Sequence, residues 1–177
     1  RNFTVGIEGW NPGAAAAQTK APVKAPTNAT PQSGTVEQNV GEEARKTLAA
    51  KLENGFFKRY MSGEHILDIG YRGYVDNVKP ILPQAIGVEL DYPGYDGRTL
   101  PFPDCSQDAV YNSHCLEHIS DFEQAIRDWH RVLKIGGFLI IVVPHQFLYE
   151  KRTSLPSRWN ADHKRIYTPA SLAGEIE

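Results

Sequence analysis

The segment that most constrains the fold runs from residue 100 to residue 145 and contains three consecutive patterns. The first, QDAVYNS at residues 107–113, is short and rich in residues that favour β-strands. Apolar side chains then recur at helical spacing, at Phe122, Ala125, Ile126, Trp129, Val132 and Leu133. The unbroken apolar run Phe138–Val143 is typical of a strand buried on both faces of a parallel sheet. Strand, helix and strand in this order predict an α/β protein.

Two further patterns mark the ends of the predicted helix. Ser120 and Glu123 have the spacing of a capping box, in which each side chain accepts a hydrogen bond from a free amide of the first turn. Gly136 and Gly137 follow the apolar face, and glycine adopts the left-handed conformation at a helix end without steric cost. We therefore expect the helix to start after Ser120 and to end at the glycine pair.

The length and composition of the chain restrict the classes of function that it can have. A chain of 177 residues is about one domain, and 19 basic against 21 acidic residues form no broad basic surface, so we expect no nucleic-acid partner. The longest apolar run is too short to span a bilayer. Cys105 and Cys115 lack metal-site or redox spacing and are predicted to be free thiols, which favours a cytoplasmic location. Arg1 opens the chain without a Met, as expected for a fragment.

The N-terminal part of the chain differs in composition from the rest. Residues 1–10 have some β character but no evident partner, and residues 11–34 are rich in Ala, Pro, Thr, Lys and Gln. Such a segment buries too little apolar area to offset its ordering entropy, so residues 1–35 are predicted to be an N-terminal segment and flexible linker. The main domain then covers residues 36–177, beginning with two helical pieces separated at Asn54-Gly55.

Two strand ends carry the residues expected to bind a ligand. The strand at residues 65–69 leads into Asp68, Gly70 and Gly73, and ligands of open α/β sheets bind at the carboxyl ends of strands. A plain connecting turn accounts for these glycines equally well. Glu89 stands at the end of the next strand, residues 85–90, where an acid can accept hydrogen bonds from a ribose diol. Glu89 is also compatible with a solvated strand end.

Taken in order, these motifs resemble a class I S-adenosylmethionine-dependent methyltransferase of the type 11 kind. The resemblance covers residues 56–177 and is strongest in LPFPD-x3-DAV-x3-H-x-LEH and RVLK-x-GG-FLIIVVP. It implies a Rossmann-like, mostly parallel sheet, S-adenosylmethionine as the cofactor, and methyl transfer to a small-molecule acceptor, with a saccharide as one candidate. It also implies cofactor contacts, from Asp68, Gly70 and Gly73 at the methionine end, Glu89 at the ribose, Asp96 at the adenine, and Asn112 and Ser113 near the methyl group.

The chain departs from the family pattern in three places. Arg72 and Tyr74 occupy the second and third glycine positions of the cofactor loop, where Arg72 either crowds the cofactor or binds its carboxylate. Residues 91–99 leave no room for the usual helix and third strand, so the sheet is expected to be shortened. The chain stops at Glu177, before the C-terminal hairpin, which leaves a sheet edge exposed unless another segment covers it. The first two departures favour the alternative of a non-catalytic binding or scaffold domain, whereas the retained Asp68, Glu89 and Asp96 oppose it.

Histidines supply the candidate catalytic groups. A hydroxyl or amine acceptor must lose a proton, and the pKa of histidine suits that step near neutral pH. His114 and His145 follow the two predicted strands, with His114 the first candidate, although a capping or packing role explains His114 equally well. His114 to His118 also match H-x-x-E-H, a zinc-peptidase pattern that requires a long helix. The predicted strand and capping box leave too little room for that helix, so no metal site is expected.

The segment after the last apolar strand is unusually long and combines aromatic with basic residues. We expect it to cover the site and to bind an anionic or sugar-like acceptor through Tyr149, Trp159, His163 and Tyr167. A solvated surface loop is the alternative for each of these residues. Thr168-Pro169 then predicts a final helix with Thr168 as its N-cap.

Overall fold

The computed structural model describes residues 2–7 and 39–176. The strands are β1 (Asn2–Ile7), β2 (Ile66–Ile69), β3 (Ile86–Val88), β4 (Gln107–Ser113) and β5 (Leu133–Pro144). The helices are α1 (Glu42–Glu53), α2 (Phe56–Tyr60), α3 (Phe122–Val132) and α4 (Pro169–Ile176). Two short helical turns, a 3-10 turn at Leu116–His118 and a π-turn at Gln146–Glu150, follow β4 and β5. Most of the predicted linker falls on residues 8–35, which lie outside the described residues.

The strands form one five-stranded sheet in the order β1-β5-β4-β2-β3. The neighbours from β5 to β3 are all parallel, which confirms the predicted α/β class and mostly parallel sheet. β1 is antiparallel to β5, with Asn2 opposite Pro144 and Ile7 opposite Leu139. The sequence offered no partner for this segment and left the edge of β5 open. The structure corrects that expectation, because β1 pairs along this edge.

The other edge of the sheet is shortened as expected. β3 has only three residues and pairs with β2 on one side, and no strand among the described residues pairs with its outer side. Residues 91–99 turn back instead, with the backbone N–H of Tyr95 donating to the carbonyl of Tyr92 at 3.0 Å. The third strand implied by the family resemblance is therefore absent from the described chain.

Both faces of the sheet are buried, as the apolar run in β5 predicts. Leu139, Ile141 and Val143 pack with the apolar residues of α3 and α4. The alternate residues Ile140 and Val142 belong to a second core that includes residues of α1 and α2. Because side chains of a strand point to opposite faces in turn, a continuous apolar run supplies two cores at once.

The helix boundaries around α3 differ from the prediction. The N-cap is Asp121 and not Ser120, and no side chain caps the helix start by a hydrogen bond. The helix ends at Val132, and Gly136 and Gly137 lie inside β5. Amides of the loop before β4 explain the early end, since the N–H groups of residues 105 and 106 donate to the last helical carbonyls at 2.9 and 2.8 Å. Gly136 instead adopts its positive φ of 81° where the pairing with β4 is irregular.

Other local predictions agree with the structure. α1 and α2 are separate helices, and Gly55 between them has a φ of 72°. The N–H of Ser171 donates to the Thr168 hydroxyl at 3.1 Å, which confirms the predicted cap of α4. Cys105 and Cys115 are free thiols. None of the described helices has the length and apolar character needed to cross a bilayer, while the cytoplasmic location stays a prediction.

Candidate active-site cleft

A cleft of about 740 Å³ opens at the carboxyl ends of β2, β3 and β4. This volume lies within the range of roughly 300–1,000 Å³ that small-molecule sites occupy. The carboxyl edge of a parallel sheet is also where ligands of open α/β folds bind. One side of the cleft follows the loops after β2 and β3, and the other follows the turn after β4. Part of residues 145–167, here called the cover segment, closes the second side.

Asp68 and Gly70 form the base of the first side. The Asp68 carboxylate is buried and accepts a hydrogen bond from the N–H of Ile81 at 2.6 Å. Burial raises the pKa of Asp68 to about 7 against the opposing effect of that bond, and the neighbouring Glu89 charge adds to the rise. Gly70 has a φ of 75°, and a Cβ there would lie 2.4 Å from the Cβ of Cys115. Only glycine therefore fits at this turn.

The loop after β2 is fastened to Glu89, the acid at the end of β3. The Glu89 carboxylate accepts a hydrogen bond from the backbone N–H of Arg72, and burial raises its pKa. Arg72 has a φ of 66°, a left-handed conformation that favours glycine, at a position where the family resemblance places glycine. Gly73 does not line the cleft, and a Cβ there would meet the Tyr71 hydroxyl at 2.0 Å. Its role is to let the Tyr71 ring pack against the loop.

Asp96 lies at the rim of the first side. Its Oδ1 accepts hydrogen bonds from the N–H groups of Thr99 and Arg98 at 2.6 and 2.9 Å. These bonds lower the pKa of Asp96, so the group is an anion at neutral pH. The same carboxylate thus shapes its own turn and faces the cleft.

His114 and Glu117 stand at the centre of the second side. His114 follows β4 with a φ of 55°, and its N–H donates to the carbonyl of Val142 at 2.8 Å. The imidazole Nδ1 is 3.4 Å from Oε1 of Glu117, and its Nε2 is 3.9 Å from Oε2 of Glu43. The ring also lies beside the Tyr149 ring, with 6.2 Å between centroids. One imidazole is therefore flanked by two carboxylates, and Ser113 lines the cleft next to it.

Three other candidates from the sequence do not line the cleft. Asn112 is fully buried, and its amide donates to the Ile69 carbonyl at 3.0 Å, which ties β4 to β2. The Nδ1 of His145 accepts from the N–H groups of Phe147 and Leu148 and so caps the π-turn. Tyr167 is fully buried in the core beneath α4. These three side chains lie behind the residues that line the cleft. The cleft geometry therefore gives no support to the acceptor contact predicted for Tyr167 or to the base role predicted for His145.

The cover segment is folded by its own hydrogen bonds. Glu150 is fully buried and accepts from the Ser157 hydroxyl at 2.5 Å, and it lies 2.6 Å from Nδ1 of His163. The Trp159 indole N–H donates to the Tyr149 carbonyl at 2.8 Å. Tyr149, Trp159 and His163 all line the cleft, as expected for residues that contact an acceptor.

Sequence reasoning missed Glu43, which reaches the cleft from the first turn of α1. Although burial acts to raise its pKa, the hydrogen bond from Lys46 and the nearby His114 lower it overall. Nothing in the local sequence distinguishes Glu43 from an ordinary acid at a helix start. The H-x-x-E-H pattern, in turn, lies in a turn and a three-residue helix, so His114 and His118 do not share a helix face. The zinc-peptidase alternative therefore lacks the helix that it requires.

Comparison with known proteins agrees with this architecture. A family model described as a methyltransferase domain matches residues 75–141. A probable S-adenosylmethionine-dependent methyltransferase of Mycolicibacterium smegmatis is 28% identical over 152 residues, covering 71% of this chain and 58% of that protein. The ubiquinone/menaquinone biosynthesis C-methyltransferase UbiE of Enterobacter sp. is 39% identical over 103 residues, covering 58% of this chain and 34% of UbiE. The chain thus spans less than two thirds of the length of these relatives.

The crystal structure of the [4+2]-cyclase SpnF is also similar. It has a TM-score of 0.51 and 25% sequence identity, covering 72% of this chain and 55% of that one. Fold, cleft and relatives together define an α/β domain of the methyltransferase type. These matches confirm the resemblance to the class I S-adenosylmethionine-dependent methyltransferases that was predicted from the motifs. Because SpnF is named as a cyclase, the fold by itself does not determine the reaction.

Proposed function

We propose that the cleft binds S-adenosylmethionine and that the protein transfers the methyl group to a small-molecule acceptor. The observation that carries this proposal is the division of one cleft into two chemically different sides. Asp68, Gly70 and Glu89 line the side at β2 and β3, whereas His114 and Glu117 line the side at β4. This arrangement brings a nucleoside-binding edge and a proton acceptor to the same space.

The residues present on the first side fit the proposed cofactor. The Gly70 turn leaves no room for a side chain, so backbone can approach the methionine end closely. Glu89 is a carboxylate at the carboxyl end of a parallel strand, the position that suits a ribose diol. Arg72 lines the same loop, and its guanidinium can pair with a carboxylate of the amino-acid end. These observations support the cofactor and favour pairing over crowding for Arg72.

The bound cofactor supplies an electrophilic methyl group on a sulfonium. The protein must hold the acceptor in line with that methyl group, and it must receive the proton that the acceptor loses. We assign the proton to Nε2 of His114, while Glu117 beside Nδ1 orients the ring and stabilises the imidazolium that forms. Glu43 near Nε2 adds to that stabilisation.

The cover segment supplies the proposed acceptor contacts. The Trp159 side chain is 59% exposed although its N–H is fixed to the backbone, so one aromatic face is available in the cleft. Tyr149 and His163 add an aromatic edge and a polar ring. Such a mixture of aromatic and hydrogen-bonding groups suits a saccharide or another hydroxylated small molecule.

Calorimetry with S-adenosylmethionine tests the proposal. We expect binding by the wild-type protein and a loss of binding in Gly70→Ala, where the new methyl group collides with Cys115. Gly55→Ala is the matched control, because Gly55 has a similar φ of 72° but no atom within 4 Å of the place that a Cβ would occupy, and it lies outside the cleft. No binding by the wild-type protein at millimolar cofactor would refute the enzyme assignment. Binding without transfer to any acceptor of a broad panel would favour a non-catalytic binding domain.

A further inference from the structure

The second side of the cleft contains a cluster of metal-ligating groups that the methyl-transfer proposal does not use together. Glu117, His118 and His163 each place one ligand atom within 4.8 Å of the others. Two come from the turn after β4 and the third from the cover segment, far along the chain. We propose that these three residues form a binding site for a divalent transition-metal ion.

The Glu117 carboxylate lacks the partners that its burial requires. Glu117 is only 1% exposed, and neither of its carboxylate oxygens has a hydrogen-bond partner among residues 2–7 and 39–176. Two histidine nitrogens lie within 4.0 Å of its Oε1, Nδ1 of His114 at 3.4 Å and Nε2 of His163 at 4.0 Å. A buried carboxylate without hydrogen bonds is costly unless a cation compensates it. A metal ion held between Glu117 and the histidines meets that requirement.

The orientation of His163 provides independent support. Its Nδ1 lies 2.6 Å from Oε1 of Glu150, and Glu150 is itself fixed by the Ser157 hydroxyl and by the N–H of Arg158. This contact directs the Nδ1 proton to Glu150 and leaves the Nε2 lone pair toward Glu117. A carboxylate behind a histidine in this way is the usual outer support of a metal ligand.

His118 repeats the arrangement on the other side. Its Nδ1 is 3.3 Å from Oδ2 of Asp162, and its ring meets the His163 ring edge-on with 4.8 Å between centroids. Each histidine thus has a carboxylate partner of its own in the cover segment. One ligand atom from each of the two rings and from Glu117 therefore lies within 4.8 Å of the others.

The ligand set indicates which ions would bind. Two imidazoles and one carboxylate suit zinc and related transition metals. Because zinc bonds are about 2.0–2.2 Å long, the three ligand atoms, which lie within 4.8 Å of one another, must move closer together when the ion binds. All three residues line the cleft, so the remaining coordination positions face the space where the acceptor would lie. If the methyl-transfer proposal holds, an acceptor oxygen could occupy one of them. Metal binding itself does not depend on that proposal.

The test uses the tag-free chain stripped of metal and titrated with Zn²⁺. We expect one bound Zn²⁺ per chain by elemental analysis after gel filtration, and an affinity measured by competition with a chromophoric chelator. His118→Ala and His163→Ala each remove a ligand and should weaken Zn²⁺ binding. Glu150→Gln, which keeps the shape of the side chain, should weaken Zn²⁺ binding by about 10–100-fold. His65→Ala is the matched control, because His65 is an exposed histidine outside the cleft. It should bind like the wild type.

Two results would overturn the proposal: substoichiometric Zn²⁺ in the wild type, or equal losses in His65→Ala and His163→Ala. Circular dichroism identifies variants that fail to fold. If the variants fail to fold, the visible absorption of the Co²⁺-loaded wild type tests the site instead. The absence of bands from nitrogen and oxygen coordination would then contradict the proposal. Calorimetry with the cofactor separates the two proposals. A chain that binds S-adenosylmethionine but not Zn²⁺ refutes the metal site alone, and the reverse result refutes only the cofactor.

Discussion

The two sides of the cleft satisfy their polar groups in opposite ways. On the first side of the cleft, here called the cofactor side after its proposed role, backbone N–H groups donate to each carboxylate: Ile81 to Asp68, Arg72 to Glu89, and Thr99 to Asp96. The second side, here called the acceptor side after its proposed role, contains buried polar atoms that have no hydrogen bond in the described part of the chain. They are both carboxylate oxygens of Glu117, Oε2 of Glu43 and Nε2 of His114.

We infer from this difference that the cofactor side is preorganised, whereas the polar groups of the acceptor side require a bound ligand or ion to be satisfied. A carboxylate held by main-chain amides needs no ligand to be stable, and it fixes the loop around it. Buried polar atoms without hydrogen bonds cost free energy that a bound molecule or ion can recover. Changes on the acceptor side should therefore lower turnover or metal binding, whereas changes on the cofactor side should alter stability and cofactor affinity.

The largest expected effect is on turnover in His114→Ala. Loss of a general base lowers the rate by about 10²–10⁴-fold, while cofactor affinity should stay near that of the wild type. Methyl transfer would be followed with radiolabelled S-adenosylmethionine and an acceptor found by panel screening, and affinity by calorimetry. His65→Ala should leave both quantities unchanged. An equal loss of turnover and affinity in His114→Ala would mean that the residue supports the fold and that the two sides are not independent.

A pH effect should appear on the cofactor side in Asp68→Asn. The pKa of Asp68 is raised to about 7, chiefly by burial, so the folded chain keeps a proton that the unfolded chain releases above its ordinary pKa. The contribution of Asp68 to the free energy of unfolding therefore falls as pH rises toward and through 7. Asparagine cannot ionise but can still accept from Ile81. Between pH 5 and pH 8 the wild type should lose about 2–3 kcal/mol relative to the variant.

Urea unfolding at several pH values measures this difference. Asp76→Asn, at an exposed position outside the cleft, controls for the general effect of removing a charge. A constant difference between wild type and Asp68→Asn across the pH range would show that the Asp68 carboxylate is ionised throughout. The cofactor side would then carry a buried anion and would be less self-sufficient than its hydrogen bonds indicate.

Asp96→Ala should weaken S-adenosylmethionine binding by about tenfold, since the variant loses a charged hydrogen-bond acceptor that water at the rim only partly replaces. Asp96→Asn keeps an acceptor for the amides of residues 98 and 99 and should lose less. Calorimetry of both variants, with Asp76→Ala as the control, separates the turn from the adenine contact. Unchanged affinity in Asp96→Ala would refute the adenine assignment.

Predictions from local patterns succeeded where one segment determines its own structure. Residues 107–113 form β4 with the bounds that the sequence indicated, and the helical spacing from Ala125 to Val132 identified the buried face of α3. Thr168 caps α4 because its hydroxyl accepts a hydrogen bond from the N–H of Ser171, three residues further along the chain. These features depend on periodicity and on near neighbours, which a sequence displays directly.

Predictions failed where a distant segment supplies the partner. Gly136 was expected to end α3, but amides before β4 take the last helical carbonyls, and the glycine serves a strand irregularity instead. β1 and β5 pair although most of the sequence lies between them, and no local pattern identifies that partner. His163 meets Glu117 and His118 only because the cover segment folds back over β4. The acceptor side is assembled from such distant pieces, which is why its composition could not be read from the sequence.

The smallest expected effect is in Thr168→Ala, which tests whether global stability and the cleft are separable. The hydroxyl of Thr168 accepts from the N–H of Ser171 at the start of α4, outside the cleft, and loss of such a cap costs about 1 kcal/mol. Thr168→Ser keeps the acceptor and should retain most of that free energy in urea unfolding. Cofactor affinity, Zn²⁺ affinity and turnover should stay at wild-type values in both variants. A parallel loss of any of them in Thr168→Ala would mean that the cleft responds to general destabilisation, and the effects assigned to its two sides would then need correction for stability.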